Sequence, residues 1–155
     1  MAERNRANGG IPGMSGPLFT DAVTVYNHYR VNRADCWQRT ILRGVQWRQK
    51  VVQSSDSAGS IVLSTETSVT IPAGVDAGER AYAAPSDFQT AEDRSSFWTL
   101  NPASGDDFLL PGEHTEELTD SMTADELLAL GGVVIRAVRD NTIRPLLRTW
   151  KVTAI

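Results

Sequence analysis

The sequence predicts a mainly β fold, a small β-barrel or sandwich, on three observations. Residues 21–47 carry apolar side chains at a period close to two, the four tryptophans fall in separate segments, and only one short stretch has the punctuation of a helix. In residues 21–47, Val23, Val25 and the aromatic pair Tyr26/Tyr29 alternate with polar positions. After a polar break the pattern restarts as Trp37, Ile41, Val45 and Trp47. These two strands are expected to pair with a C-terminal strand through Trp150 and Val152.

The later elements follow in chain order. Residues 53–59, QSSDSAG, form a turn cluster. They lead into Ile61, Val62 and Leu63 and then Val69-Thr70-Ile71-Pro72, where a proline without an amide hydrogen marks a strand end or edge. Residues 73–94 are rich in Ala and Gly, with Tyr82 and Phe88 as their anchors, and read as a long loop. Phe97 to Leu100 is extended because Pro102 follows closely and disfavours helix before it. Phe108 to Pro111 is a short strand and turn.

Residues 123–130 are the one predicted helix. Thr123 and Glu126 have capping-box spacing, Leu127, Leu128 and Leu130 supply an apolar face, and Gly131-Gly132 supplies the stop. Val133 to Asp140 and a segment through Trp150 to Ile155 are the closing strands. The tryptophans, Trp37, Trp47, Trp98 and Trp150, are expected to pack across strands in the core.

A chain of 155 residues suits a single domain, and 22% charged residues with 41% apolar ones exclude wholesale disorder. The division expected is a flexible N-terminal arm over residues 1–17, dense in Gly and Pro, and one β-rich domain over residues 18–155. No apolar run approaches the roughly 18 residues of a membrane span, and the N-terminus lacks a signal-peptide h-region. No membrane partner is expected.

Chemistry-bearing patterns are scarce. Net charge is −4, and the 15 basic residues form no run, so the composition gives little support to a nucleic-acid binder, which needs a concentrated positive face. The single Cys36 excludes an intrachain disulfide and a cysteine-based zinc site, and it reads as a buried structural thiol. His28 and His114 stand far apart outside any metal-binding spacing and read as surface or turn histidines. The carboxylates Glu113, Glu116, Glu117, Asp120, Asp125 and Glu126 lack calcium-loop spacing and read as a solvated face leading into a helix N-terminus. With no phosphate-cradling glycine motif and no nucleophile elbow, catalytic, cofactor-binding and metal-binding residues are all expected to be none. The chain is expected not to be an enzyme and to need no cofactor.

The order of segments nevertheless carries a resemblance. It runs DAVTVYN, W-x-R-T-I-L-x-G-V-x-W, V-T-I-P, D-x-F-L-L-P-G-E, a short helix before a Val/Ile strand, and R-T-W-K-V. This resembles small proteins encoded among tailed-bacteriophage and prophage structural genes, and in architecture the head-closure (stopper) or head-tail adaptor proteins of the neck.

The resemblance implies a structural virion protein, made in the bacterial cytoplasm, forming an oligomeric ring beneath the portal or adaptor. Its partners would be further copies of itself, neighbouring portal, adaptor and tail proteins, and DNA in the channel through non-specific contact. Capsid decoration, another minor head role and tail completion (terminator) are the alternatives it leaves. Contact surfaces are expected in the arm before Leu18 and in the loop of residues 73–94, projecting into the channel or toward the next ring.

Overall fold

The computed structural model describes residues 19–116 and 123–155, so the expected N-terminal arm lies outside the described residues. Six strands carry the fold: β1 (Asp21–Val31), β2 (Ala34–Ser55), β3 (Ile61–Pro72), β6 (Phe108–Pro111), β7 (Val133–Asp140) and β8 (Thr149–Ala154). The short β4 (Ala81–Tyr82) and β5 (Phe97–Trp98) pair in parallel outside that set. Hydrogen-bonded neighbours run β1-β2-β3-β8-β7-β6 and return to β1, so the mainly β expectation holds and the ring of strands is closed.

One expected pairing is corrected. β8, with Trp150, lies between β3 and β7 and not against β1 or the first half of β2. β2 explains the difference, because its first half pairs with β1 and its second half with β3. The switch occurs at a bulge, where Asp21 faces Val45 but Ala22 faces Arg43. Gly44, at φ +89°, takes the left-handed conformation that the extra residue needs.

β7 turns the opposite corner in the same way. Val133 and Val134 pair with β6, and a register shift around Arg136 hands the strand to β8. The ring therefore reads as two sheets sharing β2 and β7, a barrel with the layering of a sandwich. Its narrowest seam is β6 to β7, with two residue pairs.

Inward rows supply the core. Val23 and Val25 of β1, Leu42 and Val45 of β2, Val69 and Ile71 of β3, Leu109 of β6 and Val152 of β8 are fully buried. The β1-β2 hairpin turns through Asn32 and Arg33, both at positive φ, as a two-residue turn matched to strand twist requires.

The segment 73–106 is packed and not a free loop, which corrects the sequence expectation. Besides β4 and β5 it contains helix α1 (Pro85–Thr90) and a 3-10 turn (Arg94–Ser96). Arg43 and Asp76 form a backbone bridge, and Arg80 donates to the Arg39 carbonyl and the Thr40 hydroxyl. Phe88 is fully buried and meets Tyr29 edge-on, while Trp98 and Leu100 enter the barrel core. Tyr82, Trp98 and Trp150 form a mutual aromatic contact with centroids 4.5–5.4 Å apart. Trp98 and Trp150 are thus core as expected, whereas Trp37 and Trp47 are half-buried.

Helix α2 (Ala124–Leu128) is the expected helix in shorter form. Thr123 and Glu126 make both capping-box hydrogen bonds, and Gly131 at φ +102° ends the turn. Leu127 seals the outer side of Tyr26, which stacks on Phe108 with centroids 4.8 Å apart, but Leu130 points to solvent.

At the start of β6 a buried carboxylate ties these parts together. Oδ2 of Asp107 accepts from Asn27 Nδ2 at 2.9 Å and the Asn101 amide at 3.3 Å, and Oδ1 accepts from the His28 amide at 2.9 Å. Asn27 in turn donates to the Thr99 carbonyl and accepts from the Thr99 amide. The Asp107 carbonyl accepts from the Ile135 amide of β7.

Burial outweighs these donors and pushes the Asp107 carboxyl up to about 6 from its ordinary 3.8. The folded state therefore holds a proton that the unfolded chain releases. That stabilisation is fully present below about pH 4 and is lost as pH rises through about 6.

Comparing wild type with Asp107→Asn by denaturant unfolding, the stability advantage of wild type should shrink by on the order of 2–3 kcal/mol from pH 4 to pH 6.5. A difference that stays constant across that interval contradicts the assignment.

Candidate interaction surfaces

β2 and β3 outrun the barrel. β8 stops pairing with β3 at Thr67, and the last register pair of β1 with β2 on this side is Asp21 with Val45. Residues 50–66 thus form a two-stranded ribbon whose outer edges are both unpaired among the described residues, reaching about 20 Å past the end of β8 at the usual rise per residue. Its tip is well made. Asp56 Oδ1 accepts from the amides of Ala58 and Ser60, and Gly59 takes φ +84°.

Register decides what the ribbon presents. Trp47 opposite Val69 belongs to the core-facing row, and with a period of two that row continues as Val51 opposite Thr65, Gln53 opposite Leu63, and Ser55 opposite Ile61. The face that is core inside the barrel is bare outside it. Val51 is 67% exposed, Ile61 64% and Leu63 65%. The reverse face carries the exposed Lys50–Glu66 ion pair and Val62. A lone two-stranded ribbon is marginal in water, and an exposed apolar row on one is the kind of patch that marks an interaction site.

A second apolar group lies between β7 and β8. Ile143, Leu146 and Leu147 are exposed there, Ile143 at 91%, and Leu147 is held at φ +55°. β3 links the two groups. Its Ile61 end carries the ribbon, and Pro72 at its other end pairs with Thr149, next to this connection.

The chemistry-bearing residues noted in the sequence do not converge. His28 is corrected from surface to half-buried: its Nε2 lies 2.9 Å from Asp35 Oδ1, which Arg30 also engages, and its ring meets Trp37 edge-on. His28 and Arg30 hold the Asp35 carboxyl below its ordinary range.

His114 bonds the Pro111 carbonyl and faces Glu116, while Glu113 pairs with Arg43. Asp125 and Glu126 sit in the first turn of α2, and Glu117 and Asp120 lie outside the described residues. Among the described residues no three His, Cys, Asp or Glu are placed to hold a metal. Cys36 is half-buried, not buried as expected.

The ribbon is not legible in the sequence because the turn cluster at residues 53–59 reads as the end of a strand. The available signal is the apolar run Ile61-Val62-Leu63 directly after that turn, whose Ile61 and Leu63 share a face with Val51.

If the ribbon is an appendage, replacing residues 51–65 by Asn-Gly, joining the directly opposed Lys50 and Glu66, should leave a cooperative fold melting within a few degrees of wild type. A broad, non-cooperative melt by circular dichroism would show instead that the ribbon is part of the core.

Among the described residues no helix is long and apolar enough to cross a membrane. A family model described as "Family of unknown function (DUF6751)" matches residues 18–155, nearly the whole chain. No curated protein and no solved structure matches it significantly.

Proposed function

The chain belongs to the DUF6751 family, and we propose that it is a structural subunit of a tailed-phage virion, forming a ring of the head-tail connector as a head-closure protein. The observation that carries this reading is the ribbon of residues 50–66, whose exposed apolar row continues the core row of the barrel. A heterologous ring needs two different surfaces on each subunit, one to give and one to receive. The ribbon and the connection of residues 141–148, joined by β3, meet that need. The order of sequence segments, with its resemblance to neck proteins, supplies the virion setting.

The rest of the surface fits a module that assembles. His28, Arg43 and His114 are used in local pairs, and the segment 73–106 is bound down onto the barrel, so it serves as a scaffold and the ribbon as the projecting element. Capsid decoration or another minor head role and tail completion are the competing roles, and copy number separates the first two from a ring.

Quantitative mass spectrometry of purified particles should find the chain at one ring's worth of copies, and Val51→Lys with Leu63→Lys should leave a folded protein that is not incorporated. Abundance matching the coat lattice, absence from the particle, or normal incorporation of the double variant would each overturn the reading.

A further inference from the structure

The outer face of the sheet β2-β3-β8-β7 carries a row of cations distinct from the apolar ribbon. The register places Gln46, Thr70, Lys151 and Arg139 side by side across the four strands, on the side away from the core row of Trp47, Val69, Val152 and Val138. Arg48, two residues along β2 from Gln46, lies on the same face. The connection of residues 141–148 and Phe19 wall this floor into an open cleft of about 600 Å³, to which Arg144 adds a fourth cation.

Arg139 and Lys151 are direct cross-strand neighbours of like charge, an arrangement that destabilises a sheet unless something offsets it. Nothing in the described chain does. None of Arg48, Arg139, Arg144 and Lys151 makes an ion pair among the described residues, and no carboxylate lines the cleft. Asp140, the nearest in sequence, pairs with Trp150 in the alternate register row, and its carboxylate is engaged by Thr142.

We infer that this cleft binds the phosphodiester backbone of nucleic acid on the outer face of the barrel, without reading sequence. Three features favour a phosphate chain over a single anion or an acidic polypeptide. The cations span β2 to β7, three strand spacings or about 14 Å, so they form a track and not a point site. Neutral donors of the kind that complete phosphate and sugar contacts, Thr70 and Asn141, stand among them. Phe19 is the one aromatic ring in the lining, too little for base stacking along a strand, so affinity comes from charge. The net charge of −4 conceals this face because it averages over the chain, whereas Arg48 joins Arg139, Arg144 and Lys151 through sheet pairing.

The inference rests on the cation row and not on the connector reading, although the two share the connection of residues 141–148, and it is tested on the isolated full chain. Fluorescence anisotropy with a short labelled DNA duplex of arbitrary sequence should show binding that weakens with salt, with a log-log slope of about −3 to −4 for about four neutralised phosphates. Arg139→Ala with Lys151→Ala should weaken binding at least about tenfold and bring the slope to about −2. The same variant should melt no lower than wild type, because the like-charge pair is gone, which separates lost binding from lost folding. Arg33→Gly, in the β1-β2 turn, should bind as wild type does. Failure of wild type to bind at low salt, an unchanged affinity in the double variant, or displacement of DNA by polyglutamate as readily as by unlabelled duplex would overturn the inference, the last by making the cleft an acidic-peptide site.

Discussion

The fold depends on how its shortest strand is held. β6 closes the ring between β1 and β7, yet its ladder to β7 has two residue pairs and its ladder to β1 has four. So little pairing does not fix a seam alone. Asp107, one residue before β6, completes it: where the β6 ladder ends at Phe108 opposite Tyr26, its carboxylate takes the His28 amide of β1. The same side chain holds Asn27 and Asn101, and its carbonyl holds β7. A buried carboxyl is tolerated there because several donors surround it, and breaking one partner would leave the others unsatisfied.

That constraint positions the rest. With Asn27 fixed to Thr99, the neighbouring Trp98 and Leu100 are delivered into the core, and the segment 73–106 becomes a packed wall. With both corner strands bulged, at Gly44 and around Arg136, β2 is free to leave β1 and run on with β3 beyond the barrel. The ribbon is thus a consequence of the corner. The inner row that makes the core also makes the exposed stripe of Val51, Leu63 and Ile61, because a strand cannot change face without a further bulge.

Much of this was legible in the sequence where the signals are local. The alternation of Val23 and Val25, the capping box of Thr123 and Glu126, and Pro72 as a strand end each depend on a few adjacent residues. Partnership was not legible. The sequence offers no local sign that Trp150 faces β3 and β7, because pairing is settled by the corner bulges and by barrel closure. Helix α1 was hidden by its length. Pro85 at its first turn and Asp87 behind it are helix-start signals, but six residues give no periodicity to read. The surfaces proposed to act were hidden for a related reason: the ribbon becomes conspicuous once β8 is known to end, and the cationic row once β2, β8 and β7 are known to lie side by side.

The central claim is that the ribbon is a stripe of core face left open for a partner. Hydrogen–deuterium exchange, comparing the isolated chain with the chain in assembled particles, tests it most directly. The account predicts that amides of residues 50–66 exchange far faster than those of β1, β6 and β8 in the isolated chain and become protected on assembly. Protection of the ribbon equal to that of the barrel strands in the isolated chain, or no gain of protection in the particle, would contradict it.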